Sequence, residues 1–466
     1  MEVTDRLRVA LLVYRGNPYS GGQGVYTRYL SRELVALGHT VDVFAGPPYP
    51  DLDPGVGFVP VPSLDLYREP DPFRLVRPSE LTSAIDLLEL GIMLTAGFPE
   101  PLTFSLRARR ALVRRRGAYD LVHDNQGLGR GMLGVLEDGW PLLTTIHHPI
   151  TVDRSLDLAH ASSRLRRTTL RRWYGFVGMQ REVAASVPRV VTVSESSAAD
   201  LVGAMGVPRE RIGVVPVGVD TDVFRPLEGV ERVPGRIVTT ASADVPLKGL
   251  VPLLEAVAKL RTERNVELVV VGKPRQDGAL PATLHRLGLG AAVRFRSKLS
   301  QEEIVSLYAE AAVAVVPSLY EGFSLPAIEA MACGVPLVAT TGGALPEVVG
   351  PSGEAGLLVA PGDPSALAGA IGRVLDDPGL ALRLGAAGLA RVRERFTWAA
   401  CAAGTVREYR GLLEAVAGTG AGTRAEAGTR AAAGTGAGTR AEAGTRAEAA
   451  AGTGAGTGDD GRGDEP

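Results

Sequence analysis

Short apolar runs rich in β-branched residues recur along the chain. Residues 8–14 (RVALLVY), 40–44, 142–146, 189–193, 237–241, 266–271, 293–295, 312–316, 335–340 and 357–359 are each too short for a lone helix. They carry the near-continuous apolar character of strands covered on both faces, and read as such. Residues 121–123 end a further strand. Between these runs, residues 25–37, 250–261, 302–312 and 364–389 have apolar positions three and four apart, the period of a helix packed on one face. Gly38 is a natural stop for the first of these and Pro378 a break in the last. Strands alternating with helices predict parallel sheets in an α/β fold.

The pattern lapses in three places. Residues 46–78 are proline-rich and predict extended loop over short strands; 79–117 are mostly helical after it. Pro226 and Pro234 suit an interdomain linker. From about residue 417 the decapeptide AGTRAEAGTR occurs twice, at 421–430 and 437–446, with no aromatic or large aliphatic side chain to bury. That composition predicts a disordered tail without a catalytic role.

Length and charge narrow the classes. A chain of 466 residues suggests two or three domains, and a net charge of −2 gives no electrostatic case for nucleic acid. Cys333 and Cys401 form neither a metal pattern nor a disulfide framework, so a cytoplasmic setting is expected. There is no apolar run long enough for a membrane span and no visible secretory signal.

The chemistry concentrates in residues 318–350, SLYEGFSLPAIEAMACGVPLVATTGGALPEVVG. A strand leads into Glu321-Gly322-Phe323-Ser324, where glycine permits close backbone approach. Ser324 is a plausible N-cap, Pro326 sits in the first turn, and Gly334 ends the helix. Free N–H groups and a positive helix end then lie at the carboxyl edge of a parallel sheet, where such sheets take phosphate-bearing ligands. Glu321 and Glu329 frame the loop with acceptor-only carboxylates suited to sugar and ribose hydroxyls, so a nucleotide sugar fits. Spacing alone also allows a plain structural reading, a solvated loop glutamate and a glutamate favoured by the helix dipole.

The run Glu321, Gly322, Phe323, Leu325, Pro326, Glu329, Ala330, Gly334, Pro336 resembles the E-x(7)-E segment of retaining glycosyltransferases of family 4. The likeness covers most of residues 7–415. It implies a GT-B fold, two Rossmann-like domains facing a central cleft: an acceptor-binding domain over 1–218, a nucleotide-sugar-binding domain over 219–392, a helix returning to the first domain over 393–416, and the tail over 417–466. It implies a sugar transferred from a UDP- or GDP-linked donor to an acceptor hydroxyl with retention, by front-face attack, with no metal or other cofactor. Lys248 and the amides after Glu321 would stabilise the leaving diphosphate, Glu321 the donor-sugar hydroxyls, Glu329 the ribose, and His147 the sugar from the opposite domain. Gly322, Phe323, Ser324 and Leu325 would line the donor. The N-terminal loop with Gly22 and Gly24 would lie near the donor phosphate, and Gly272, Ser297 and Lys298 near the nucleotide.

Some residues depart from the resemblance or leave it open. Ala243 stands where the family has an arginine, leaving the two-cation clamp incomplete, and Val217 stands where asparagine is common. His148, beside His147, should point away from the same site, and His123 could line the cleft. The arginine runs at 107–116 and 164–172 admit contact with an anionic membrane surface through Arg-rich helices, or simply solvated helix faces. Gly22-x-Gly24 lacks the third glycine of a dinucleotide fingerprint, against a dehydrogenase. A non-catalytic nucleotide-sugar-binding protein and a GT-B epimerase remain the alternatives. The acceptor could be a glycolipid, polysaccharide or small molecule; the oligomeric state is not legible.

Overall fold

Two parallel sheets carry the fold. The computed structural model describes residues 6–17, 22–68, 71, 74–159, 161, 163–240, 245–273 and 279–434, with backbone alone at 152, 153, 156, 279 and 419–434. In the first sheet, β1 (Arg8–Val13), β2 (Thr40–Ala45), β3 (Gly57–Pro60), β4 (Leu121–Asn125), β5 (Leu142–Thr145), β6 (Arg189–Thr192) and β7 (Ile212–Val214) run in the order β3-β2-β1-β4-β5-β6-β7. In the second, β8 (Arg236–Thr239), β9 (Glu267–Val271), β10 (Val293–Arg296), β11 (Val313–Val316), β12 (Leu337–Thr340) and β13 (Leu357–Val359) run β10-β9-β8-β11-β12-β13. All paired strands are parallel. Each sheet therefore starts at its centre and winds outward in both directions. The switch points fall between β1 and β4 and between β8 and β11, and a crevice opens there at the carboxyl ends.

Burial follows from coverage on both faces. Val9, Leu11 and Val13 pack with Tyr26, Leu30 and Leu34 of helix Gln23–Ala36 on one face of the first sheet. Ala10 and Leu12 pack with Phe104 and Ala108 of helix Glu100–Val113 on the other. The second sheet repeats this, with Ala314, Val316, Ile328 and Met331 on one face and Val313, Val315, Leu254 and Val257 on the other. Pro378 does end one helix, Pro364–Asp376, and open another, Pro378–Arg395.

The residues up to Val416 form one compact unit, and those from Ala417 a second. Within the first unit the chain returns to its starting sheet. The Val219 N–H donates to the Phe396 carbonyl at 2.9 Å, and Val219 forms a parallel bridge with Thr397. Trp398, Cys401, Val406 and Tyr409 of the last helix, Trp398–Gly434, then pack in the core with Val9, Leu11 and Tyr26.

Two expectations are corrected here. The last helix does not stop near residue 415 but runs to Gly434, so the first part of the repetitive tail is helical; its alanines, glutamates and arginines are strong helix formers between single glycines. Residues 435–466 lie outside the described residues. The first arginine run is a solvated face only in part. Arg110, Arg114, Arg115 and Arg116 are exposed, whereas Arg107 lies largely covered between Asp86 at 2.6 Å and Glu89 at 2.5 Å, and Arg109 pairs with Asp138 at 2.7 Å. The second run, on helix Arg164–Trp173, is largely exposed, with Arg172 donating to the Thr95 hydroxyl at 2.7 Å. Among the described residues no helix is long and apolar enough to cross a membrane.

Candidate active site

The crevice holds a cavity of about 520 Å³ whose walls come from both sheets. From the second come Lys248, Glu321 to Pro326 and Glu329; from the first come Gly22, Gln23, Tyr26, Gln126, His147 and His148.

The motif loop is seated by backbone. Gly342 and Gly343 follow β12, and a Cβ on Gly343 would lie 2.2 Å from the Glu321 carbonyl oxygen, so only glycine allows the two loops to touch. The Ala344 N–H donates to that same carbonyl at 2.9 Å. The turn bearing Lys248, Pro246–Lys248, is tied to the motif by the Leu319 N–H donating to the Leu247 carbonyl at 2.7 Å. Gly249 has φ of 66°, and a Cβ there would meet the Pro317 carbonyl at 1.9 Å. These constraints bring Lys248 onto Glu321. Its Nζ donates to both carboxylate oxygens at 2.9 Å, and the Ser318 hydroxyl donates to Oε1 at 2.7 Å. The ammonium is thus held beside the motif with its counter-ion, a third of its side chain still exposed.

Ser324 caps helix Leu325–Ala332 as expected, accepting from the Ala327 N–H at 3.4 Å. One turn in, Glu329 lines the cavity. Among the described residues its carboxyl group has no hydrogen-bond partner, and burial pushes its pKa up to about 7. Phe323 lines the cavity and stacks edge-on against Phe396 at 5.8 Å.

The motif also joins the two halves. The Gly322 carbonyl accepts from the Ser194 hydroxyl at 2.6 Å and the Ser197 hydroxyl at 2.9 Å. Ser194 also caps its own helix, Glu195–Asp200, accepting from the Ser197 N–H at 2.9 Å. A Cβ on Gly322 would lie 3.1 Å from Ser197 Oγ, so this glycine sits where the halves approach closely. The Glu347 carboxylate crosses the seam to accept the N–H groups of Glu195 at 2.7 Å and Ser196 at 2.8 Å. Tyr320 donates its hydroxyl to Asp200.

On the first-sheet side, His147 follows β5. Its Nε2 lies 2.9 Å from Asn125 Oδ1, and Tyr26 packs edge-on to its ring at 4.6 Å. Burial, with the neighbouring His148, lowers its pKa to about 3, so the ring is neutral. Gln126 holds the histidine backbone, accepting from the His147 N–H at 2.8 Å and donating to the His148 carbonyl at 3.0 Å. Gln126 and Leu128 have positive φ, so the loop after β4 is a bent support for this wall.

Several expected residues are placed elsewhere. His148 does not turn away; it shares the cavity wall with His147, because Pro149 and the bend after β5 break strand alternation. His123 is fully buried in β4, bonded through Nδ1 to Tyr409 and through Nε2 to Thr145, each at 2.7 Å, and is a core residue. Gly24 is also structural: a Cβ would lie 2.1 Å from the Asn17 carbonyl oxygen, and the residue does not line the cavity. Gly272, whose N–H donates to the Arg296 carbonyl at 2.7 Å, and exposed Ser297 and Lys298 lie off the cavity wall, on the β9–β10 side of the sheet. Ala243 lies outside the described residues. Val217 lines the cavity. Reading by motif passed over Asn125, Gln126, Tyr26 and Trp398, which all position or line the site. The signal for the first two was a polar run, His123 to Gln126, ending an otherwise apolar strand.

Comparison with known proteins gives one answer for both halves. Residues 20–223 match the profile described as Glycosyltransferase Family 4, and residues 234–377 match Glycosyl transferases group 1. The chain is 54% identical to an MMP alpha-(1->4)-mannosyltransferase of Mycolicibacterium hassiacum, over 88% of this chain and 100% of that one. It is 30% identical to a D-inositol 3-phosphate glycosyltransferase of Streptomyces bingchenggensis, over 86% and 89% of the two chains. Among solved structures, sucrose-phosphate synthase of Thermosynechococcus elongatus matches with a TM-score of 0.64 and 27% identity, over 88% of this chain and all of that one.

Proposed function

Because the chain belongs to glycosyltransferase family 4 and is a glycosyltransferase of the GT-B fold, rather than an epimerase or a non-catalytic binder, we propose a specific reaction for its cleft: transfer of an α-mannosyl group from a nucleotide diphosphate donor to a hydroxyl of an uncharged sugar acceptor, with retention and without a metal. The observation that carries this reading is the meeting of Lys248, Glu321, Glu329 and His147 in one cavity built from both sheets.

Each group has a task. The leaving diphosphate develops the largest charge in the reaction, and Lys248 with the N–H groups after Glu321 stabilises it in a site shielded from bulk water. Glu321, oriented by Ser318 and Lys248, accepts from donor-sugar hydroxyls. Glu329 accepts from the ribose, and His147 meets the sugar from the other side. None of these is a convincing covalent nucleophile. Retention then follows from attack on the face the phosphate leaves, with the departing phosphate oxygen taking the acceptor's proton.

Two supports bear on the substrates. The relative sharing 54% identity over its whole length is named a mannosyltransferase. Among the described residues, the first-sheet wall presents Tyr14, Gln23, Gln126, His148 and Gln180, and neither lysine nor arginine, which favours an uncharged acceptor over a phosphorylated one. Purified protein should be incubated with GDP-mannose, UDP-mannose or UDP-glucose and either an α-mannoside or an inositol phosphate, with and without EDTA. The expected result is an α-linked product on the mannoside, seen by NMR of the anomeric proton and undiminished by chelator. A β-linked product, or loss of turnover in EDTA, would overturn the mechanism; turnover on inositol phosphate alone would overturn the acceptor.

A further inference from the structure

Asn125 ends β4, and its amide is oriented by three neighbours. Its Nδ2 donates to the Gln23 backbone carbonyl at 3.3 Å and to the Thr27 hydroxyl at 3.1 Å. A backbone carbonyl only accepts, so turning the amide over would set one oxygen against another. The Oδ1 atom therefore faces His147, 2.9 Å from Nε2. An amide oxygen also only accepts, so Nε2 must carry the proton. The ring is neutral, which leaves Nδ1 without a hydrogen. Among the described residues Nδ1 has no hydrogen-bond partner, and it is not one of the sealed, unpaired buried atoms of the interior. His147 lines the cavity, and Tyr26 packed edge-on keeps its ring from turning.

We propose that Asn125 is a positioning residue that locks His147 in the Nε2–H tautomer, so that Nδ1 accepts a hydrogen bond from a hydroxyl of the bound donor hexose. This rests on the reading that His147 meets the donor sugar, and it adds which ring atom does so and what fixes it. The histidine then acts as an acceptor and not as an imidazolium aimed at the leaving phosphate. Strand β4, the central strand of the first sheet, thereby sets the polarity of a contact made after its neighbour β5.

The full-length protein labelled with ¹⁵N-histidine tests this, because a bare and a protonated imidazole nitrogen differ widely in ¹⁵N shift. The His147 signals are assigned by their loss in His147→Phe. The expected spectrum shows Nε2 protonated and Nδ1 bare, and saturation with GDP-mannose moves the Nδ1 resonance toward the hydrogen-bonded range. In Asn125→Ala the tautomers should mix, and kcat/KM should fall roughly tenfold, the scale of one lost oriented hydrogen bond. A wild-type ring protonated at Nδ1, or an Asn125→Ala ring still wholly Nε2–H, would overturn the proposal whatever the variant's stability. Saturation is verified by a rise in Tm. If Tm rises and Nδ1 does not move, this inference fails while donor binding stands. If no nucleotide sugar raises Tm at millimolar concentration, the donor reading itself fails, and the proposed contact with it.

Discussion

The two halves share one strand order, a central start wound outward to both edges, yet they bring opposite chemistry to the cleft. The second half supplies charge: Lys248, Glu321 and Glu329. The first supplies chiefly neutral groups held by hydrogen bonds, Asn125, Gln126 and a neutral His147, with Asp200 as a carboxylate on its wall, held by the Tyr320 hydroxyl. The same topology therefore places different tools at the same edge. The charged half suits a reacting diphosphate, where electrostatics change most between ground and transition state. The neutral half suits hydroxyl recognition, where direction matters more than charge.

The largest expected effect tests the charged half. Lys248→Ala should lower kcat by roughly 10²–10³, the loss typical of one oriented electrostatic group at a developing anion. Glu321→Ala should act at the same place, since the two side chains form one pair. The double variant should therefore cost little more than the worse single one, measured as a double-mutant cycle in kcat/KM. Full additivity would show that the pair is not a unit.

Next comes Glu329, whose folded pKa of about 7 stands above its ordinary 4.5. Between these values the folded state holds a proton that the unfolded state does not. Its contribution to stability is therefore present below about pH 4.5 and lost as pH rises through 7, amounting to roughly 3 kcal/mol. Glu329→Gln should gain stability over wild type at pH 8 and little at pH 5, read as Tm against pH. Nucleotide affinity should move the other way in wild type. Ribose hydroxyls donate to the carboxylate, so binding should tighten as pH rises through 7, and the Gln variant should lack that slope.

The third test falls on the neutral half's core. Tyr409→Phe removes the hydroxyl that partners buried His123 Nδ1. An unpaired buried nitrogen costs about 1–3 kcal/mol, so Tm should fall by a few degrees while kcat holds. A large fall in kcat would return His123 to the site.

The same contrast explains what the sequence made legible. Strand alternation, Ser324 as cap, Gly334 as stop and the Pro378 break are local signals, and the structure follows them. Lys248 and Glu321 were both expected beside the donor, from the resemblance, but their ion pair is a tertiary contact that no local signal marks. The first half was read less well. Asn125 and Gln126 act on His147 across a strand gap of about twenty residues, and no spacing rule marks a partner in the neighbouring strand. His123 and Gly24 looked like site residues because a polar or flexible residue at a strand end is ambiguous until its partners are known. Here those partners are Tyr409, far along the chain, and the Asn17 carbonyl. The helix through residue 434 was missed because recurrent glycine was weighted above the helix formers between them.

The smallest effect lies at the seam between the two chemistries. Glu347 belongs to the charged half but spends its carboxylate on two N–H groups of the neutral half, at a helix end where a negative charge is welcome. These contacts touch solvent and stand outside the cavity wall. Glu347→Ala should therefore leave the electrostatics of the reaction alone and weaken only the closed arrangement. A cost of about 1 kcal/mol would appear as a roughly fivefold rise in KM for the donor with kcat nearly constant. Small-angle scattering should show a slightly larger radius of gyration without ligand and recovery when a nucleotide sugar bridges the halves. If kcat falls as far as in Lys248→Ala, the seam is part of the catalytic electrostatics, and the division between a charged and a neutral half no longer describes this cleft.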